Sequence, residues 1–136
     1  MSNIFKITRF LAVVLLLQSI TVGCKQAAPP THTTDPAASK TYTCTGNEPF
    51  WMVKIEPDSV IFKTPENEIS YPSASFTKLE NKLIFETQLA HATMSSKLKV
   101  TLVDTKCTDS MSGMESAYTV TVEKDGETYT GCGRVE

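Results

Sequence analysis

Side chains that could act as nucleophiles, general bases or metal ligands are few in this chain. Beyond residue 40 the single histidine, His91, belongs to no His-x-x-x-His or Glu-x-x-His pattern. The cysteines form no Cys-x-x-Cys pair, and no serine lies in a nucleophile-elbow context. Most carboxylates occupy alternating strand positions or turns, as on a solvated face. The sequence therefore predicts a protein that is not an enzyme.

Methionines are the other possible metal ligands. Met111 and Met114, with Met52, Met94 and His91 elsewhere, could serve as soft ligands for copper. They are scattered along the chain, however, so we predict neither a metal site nor a cofactor. Met111 is expected to fill the core beneath its loop instead.

The first 23 residues have the features of a signal peptide. Lys6 and Arg9 form a short basic region, and the apolar stretch 10–22 is too short to span a bilayer. Gly23-Cys24 follows, and the arrangement resembles a bacterial lipobox, in which Cys24 becomes the lipidated first residue. Ordinary secretion with an unmodified Cys24 is the alternative. By the same resemblance, Lys25 favours the outer membrane, with the protein facing the periplasm.

The segment 24–40 is expected to be a lipidated cysteine and a flexible tether, because it is rich in Pro, Thr and Ala and has no larger aliphatic residue. The folded domain is then 41–136. Without residues 1–23 the chain retains 11 Lys+Arg against 15 Asp+Glu. This acidic balance disfavours nucleic acid as a partner and favours a basic protein.

The domain 41–136 has the two-residue periodicity of β-strands. Trp51, Val53 and Ile55 alternate with polar or flexible residues, and Leu98–Leu102 and Tyr118–Val122 do the same. Asp125-Gly126 between alternating runs predicts a tight hairpin.

About eight strands and little or no helix are expected, apart from one possible helical turn within 89–96. We predict an all-β fold, a small antiparallel barrel, with a flattened sandwich as the alternative.

Three cysteines remain in the domain: Cys44, Cys107 and Cys132. Disulfides are favoured in exported proteins, and with three cysteines in the domain one thiol has no partner within it. From the residues alone, both a Cys107–Cys132 and a Cys44–Cys132 bridge are open.

The segment 45–51, Thr-Gly-Asn-Glu-Pro-Phe-Trp, suits a tight turn entering a strand. Phe50 and Trp51 must point to opposite faces of a regular strand, so one is core and the other can be exposed. Glu48 with an exposed ring is a candidate binding site. A purely structural turn is the alternative.

Gly46–Trp51, the residues Cys107, Asp109, Met111 and Ser112 with Tyr118, and Gly131-Cys132 together resemble a family of bacterial envelope lipoproteins. Ser110 stands where the family has Gly. The resemblance implies a Cys107–Cys132 disulfide, since members without a counterpart of Cys44 retain the other two cysteines. It also makes Asp109, Met111 and Ser112 binding candidates beside Glu48, Phe50 and Trp51.

The architecture is similar to that of membrane-bound inhibitors of C-type lysozyme. We therefore expect a non-catalytic binding module, held at the membrane by its anchor. Lysozyme or another envelope protein is the expected partner, and a structural or stress-related role is the alternative.

Overall fold

A computed structural model of the chain describes residues 35–91 and 94–136. The expected signal peptide 1–23, the expected lipidation site Cys24 and the expected tether up to residue 34 lie outside the described residues. In the described part of the chain, no helix is long and apolar enough to cross a membrane.

The described residues form a single antiparallel sheet of nine strands without a helix, so the all-β prediction is confirmed with one strand more than expected. The strands are β1 (Tyr42–Asn47), β2 (Phe50–Ile55), β3 (Ser59–Lys63), β4 (Glu68–Pro72), β5 (Ser75–Leu79), β6 (Lys82–His91), β7 (Met94–Thr108), β8 (Glu115–Lys124) and β9 (Glu127–Val135). Their order in the sheet is β4-β3-β2-β1-β9-β8-β7-β6-β5.

The sheet curls into a half-barrel. Contacts between inward side chains of strands that are not neighbours show this curl. The Tyr42 ring on β1 lies 5.3 Å from the Phe85 ring on β6, although three strands separate β1 from β6 in the sheet order. Phe76, the register partner of Phe85 on the neighbouring strand β5, extends this aromatic contact at 5.1 Å between ring centroids. One curled sheet thus covers its own apolar face, as expected of a domain with no helix to do so.

The core consists of residues at alternating strand positions, as the periodicity predicts. Its fully buried members include Trp51, Val53 and Ile55 on β2 and Val120 and Val122 on β8. The outward residues between them are Met52, Lys54 and Thr121. The two faces of the sheet are therefore chemically distinct.

A hydrogen-bonded chain joins strand β4 to β7 across the half-barrel. Ser96 donates its hydroxyl proton to Asp125 Oδ2 at 2.7 Å, so Tyr71 OH is the donor to Ser96 Oγ at 2.6 Å. Tyr71 and Ser96 are both buried. Each hydroxyl is thus satisfied where water is excluded.

The Asp-Gly hairpin prediction is confirmed. Asp125 has φ 52° and Gly126 has φ 93° between the paired residues Lys124 and Glu127, as a two-residue hairpin turn requires. The expected helical turn within 89–96 is wrong. β6 continues to His91 and β7 begins at Met94, because long antiparallel pairing extends the strand conformation across both segments.

The folded part of the chain reaches back into the segment expected to be tether. Asp35–Lys40 form a turn in which Ala37 packs against the core, and Tyr42 OH donates to the Ala37 carbonyl at 3.0 Å. Asp35 also forms an ion pair with Lys78 on β5 at 3.8 Å.

Candidate functional site

The turn between β1 and β2 presents one aromatic ring to solvent and buries the next. Phe50 is 55% exposed and Trp51 is fully buried, so the predicted opposition of the two rings is confirmed. Glu48 and Pro49, joined by a cis peptide bond, form the exposed tip of the turn. Asn47 and Phe50 are register partners, and paired residues of an antiparallel ladder face the same side, which here is the outer side.

The loop between β7 and β8 is organised around the carboxylate of Asp109. Its Oδ1 accepts from the Ser112 backbone N–H at 2.7 Å, from the Ser112 hydroxyl at 2.8 Å and from the Met111 N–H at 3.1 Å. The Gly113 N–H donates to the Asp109 carbonyl, with Gly113 at φ 70°. Only glycine adopts that backbone conformation at no steric cost.

Hydrogen bonds to the charged form lower the pKa of Asp109 to about 2. The Ser112 backbone N–H contributes most, followed by the Ser112 hydroxyl and the Asn47 amide. Asp109 is therefore ionised at neutral pH and too weak a base for proton transfer there. Its role in the loop is to hold the backbone.

Asn47 connects the two motif segments directly. Its Nδ2 donates to Asp109 Oδ2 at 2.9 Å and to Ser110 Oγ at 3.3 Å. The segments are 62 residues apart in sequence, yet they form one surface. We call this surface the motif patch and define it by its exposed or hydrogen-bonded members: Asn47, Glu48, Phe50, Asp109, Met111, Ser112 and Met114.

The motif patch is apolar at its surface. Met111 is 78% exposed and Met114 is 62% exposed in the Asp109 loop, and the Phe50 ring is exposed on the segment that Asn47 joins to this loop. The prediction that Met111 fills the core is wrong. The hydrogen bonds to Asp109 fold the loop into a compact turn off the end of the sheet, so its apex residue points to solvent.

Trp51 belongs to the support of the patch and not to its contact surface. The indole lies directly against Gly46, its register partner, and its ring edge lies 2.9 Å from where a Cβ on Gly131 would be. Its Nε1–H is buried without a hydrogen-bond partner. Two glycines in neighbouring strands thus make room for the largest side chain of the core.

The Cys107–Cys132 disulfide is present, and the resemblance predicted it correctly. It joins β7 to β9 although β8 lies between them, and strands two positions apart would ordinarily be separated by about 9–10 Å. The Cα–Cα distance is 5.4 Å because the ladder between β7 and β8 is irregular between Asp104 and Cys107. Such a bulge bends the strand and folds the end of β7 toward β9.

Cys44, the third cysteine, is a buried free thiol whose pKa burial raises to about 12. It is therefore inert at neutral pH.

A shallow groove of about 420 Å³ lies between the Asp109 loop and the outer face of β1, β9 and β8. Its lining includes Thr45, Asn47, Thr119, Thr130 and Ser110. The disulfide and the two glycines that cover Trp51 also border it.

Within 35–91 and 94–136, no cluster of three His, Cys, Asp or Glu side chains is placed to hold a metal ion.

The structure thus brings together Glu48, Phe50, Asp109, Met111 and Ser112 and places Trp51 beneath them. Sequence reasoning missed three features: the linking role of Asn47, the exposure of Met114 and the glycine pair over the indole. The position of Asn47 in a turn was a usable signal, because an asparagine side chain there can hydrogen-bond to a neighbouring loop as well as to its own turn. Comparison of the chain with protein-family models, with curated proteins and with solved structures finds no match.

Proposed function

We propose that this protein is an exported, lipid-anchored binding module that recognises a protein partner through the motif patch and catalyses no reaction. The observation that carries the proposal is that the two segments joined by the Asn47–Asp109 hydrogen bond both present exposed apolar side chains. Of the five large hydrophobic residues exposed in the described part of the chain, three lie in the patch: Phe50, Met111 and Met114. Aromatic and methionine side chains are enriched at protein interfaces.

The patch is also pre-organised, which favours binding. The disulfide, the Asn47–Asp109 hydrogen bond and the Asp109 turn fix both loops before a partner arrives. Less conformational entropy is then lost on association.

The direction of β1 supports an orientation away from the anchor. The chain enters β1 at Tyr42 and reaches the patch after Asn47. At about 3.3 Å per residue, the six residues of β1 separate the two by roughly 20 Å. A lipid on Cys24 would therefore tether the end of the domain opposite the patch.

Charge favours a basic partner. Residues 35–136 hold 10 Lys+Arg against 15 Asp+Glu, and the patch itself carries Glu48 and Asp109. An acidic surface steers a basic protein toward it. C-type lysozyme is such a protein, and Glu48 beside the exposed Phe50 ring is the side chain placed to enter an enzyme cleft, since the Asp109 oxygens are occupied by hydrogen bonds within the patch.

The first test is photo-crosslinking in the cells that make the protein. A photoreactive phenylalanine analogue is placed at Met111 and, as a matched control, at Leu79, an exposed apolar residue of β5 away from the patch. We expect one discrete protein adduct from position 111 and none from position 79. Equal labelling at both positions, or none at 111, contradicts the proposal.

The second test asks whether the partner is lysozyme. The full-length protein, solubilised in detergent, is titrated against C-type lysozyme acting on cell-wall substrate. Saturable inhibition that Glu48→Gln weakens by about tenfold or more, while Glu66→Gln leaves it unchanged, identifies an inhibitor. Absence of inhibition together with a discrete adduct at position 111 assigns the patch to another envelope protein, as in a structural or stress-related module.

A further inference from the structure

The groove beside the motif patch has a chemistry different from that of the patch. The patch is apolar and acidic, whereas the groove is lined by hydroxyl and amide groups on the outer face of β1, β8 and β9. We propose that this groove binds a neutral oligosaccharide. The inference goes beyond the proposed function, which concerns a protein partner. Asn47, Glu48 and Asp109 belong to the motif patch and also line the groove, and Phe50 stands beside it.

The hydroxyl groups of the lining match the groups of a sugar. Thr45, Thr119, Thr130 and Ser110 each carry a hydroxyl that both donates and accepts hydrogen bonds. A pyranose presents the same dual groups around its ring. Thr130 is exposed, so its hydroxyl is accessible to a ligand. The Thr119 hydroxyl donates to the Thr105 carbonyl at 3.3 Å and can still accept a hydrogen bond from a ligand.

The charges of the groove exclude anionic ligands. None of the residues that line it is Lys or Arg. Its two carboxylates are Glu48 at the tip of the turn and Asp109, whose oxygens already accept hydrogen bonds from Asn47, Met111 and Ser112. A phosphate, a sulfated glycan or a uronic acid would meet only negative charge there. A neutral polyol would not.

An aromatic ring stands beside the groove on the same face of the sheet. Asn47 lines the groove, and its register partner Phe50 points outward from the adjacent strand with about half of its surface exposed. The C–H face of a sugar ring is apolar and can cover such a ring. Hydroxyl groups converging beside an exposed aromatic ring thus offer both surfaces that a pyranose needs.

The floor of the groove includes two residues without side chains. Gly46 and Gly131 border the groove on the outer side and cover the Trp51 indole on the inner side. The volume of about 420 Å³ lies within the range of small-molecule sites, about 300–1,000 Å³. Since the groove is open, we expect a Kd on the order of 1 mM.

Trp51 provides the readout, because it is the only tryptophan of the chain and lies directly beneath this floor. The full-length protein, in a detergent without a sugar head group, is titrated with three neutral tetrasaccharides. These are the β-1,4 oligomers of N-acetylglucosamine and of glucose, and the α-1,4 oligomer of glucose. Sorbitol controls for bulk solvent effects, and a sulfated oligosaccharide tests the charge argument.

We expect a saturable change of Trp51 emission with at least one neutral tetrasaccharide and none with sorbitol or the sulfated probe. Thr130→Val should weaken the affinity by about fivefold, the loss expected for one uncharged hydrogen bond. Thr128→Val is the matched control, since Thr128 is an exposed threonine on the same strand and face but outside the groove. Valine retains the β-branched shape, so both variants should fold.

Three results would overturn the inference: no saturation with any neutral probe up to about 20 mM, well above the expected Kd; tighter binding of the sulfated probe; or equal affinities of Thr130→Val and Thr128→Val. The two proposals fail separately. Thr130→Val should weaken sugar binding and leave the protein adduct from position 111 intact, whereas Met111→Ser should leave sugar binding intact.

Discussion

The carboxylate of Asp109 accepts four hydrogen bonds from three residues, and one of them comes from the opposite motif segment. Its pKa in the folded protein, about 2, lies below its ordinary value of 3.8. A lowered pKa means that the ionised form stabilises the fold. That contribution is complete above pH 3.8 and is lost as the pH falls through about 2. The two loops of the motif patch should lose their fixed arrangement over the same pH range.

We predict that the Asp109 carboxyl titrates with a midpoint near pH 2 when followed by NMR. Asn47→Ala should move the midpoint upward, toward 3.8, because one donor to the carboxylate is removed. Asn67→Ala, in the β3–β4 turn, should leave it unchanged. A midpoint at the ordinary value in the unmodified protein would contradict the hydrogen bonding described for the loop.

The close contact between Gly46 and Trp51 makes a second prediction at the residue scale. A Cβ at position 46 would collide with the indole Nε1 and lie 2.6 Å from the Thr130 carbonyl oxygen. Gly46→Ala should therefore lower the free energy of unfolding by about 1–3 kcal/mol, the usual cost of overpacking.

Urea denaturation measures this cost, and the double variant with Trp51→Phe identifies its source. The smaller ring frees part of the space, so the cost of Gly46→Ala should be lower in the Trp51→Phe background. Strictly additive effects would show that the indole is not the obstacle.

The strands themselves were largely predictable, because their signals are local. Alternation located the buried positions of β2, β7 and β8, and Asp125-Gly126 located the last hairpin. The sequence allows a helical turn at the β6–β7 connection, since Leu89–Ser96 contains no Gly, Pro, Asn or Asp to mark a hairpin. Seven of the eight strand pairings join strands that are consecutive in the chain, whereas the β1–β9 pairing and the contact of Asn47 with Asp109 join distant segments. No local pattern encodes those.

The disulfide acts at the scale of elements, because it closes a segment of 25 residues that includes the Asp109 loop and all of β8. Replacing both cysteines by serine should lower the free energy of unfolding by about 3.5 kcal/mol in the chain-entropy model. Urea denaturation of the Cys107→Ser, Cys132→Ser variant measures this loss.

Cys44→Ala is the control for that experiment, since Cys44 is a buried free thiol. It removes a cysteine without opening a covalent loop. Reduction of the unmodified protein should reproduce the loss seen in the double serine variant and should add nothing to that variant. An unchanged urea midpoint after reduction would show that the bridge does not stabilise the fold.

At the scale of the molecule, the domain begins earlier than its strands. The turn at Asp35–Lys40 precedes β1 and satisfies the buried hydroxyl of Tyr42. We predict that a chain starting at Thr33 unfolds cooperatively with the midpoint of the full-length protein. A chain starting at Thr41 leaves Tyr42 OH without its acceptor and should be less stable by about 1–3 kcal/mol.

Thermal unfolding of the two truncated chains tests this boundary. Tyr42→Phe provides the control, because it removes the hydroxyl that needs the Ala37 carbonyl. In the Tyr42→Phe background the difference between the two starts should shrink. If the chains starting at Thr33 and at Thr41 have identical midpoints with Tyr42 in place, the domain begins at residue 41, as the composition of the tether indicates.

The hydrogen bond between Asn47 and Asp109 also has a consequence for how the sequence evolves. Two segments 62 residues apart in sequence share one contact. A substitution at either position therefore changes which residues are tolerated at the other. Among homologues, positions 47 and 109 should vary together, with an amide facing a carboxylate in each lineage. A lineage that loses one partner should lose the other, and the constraint on Met111 should relax with them.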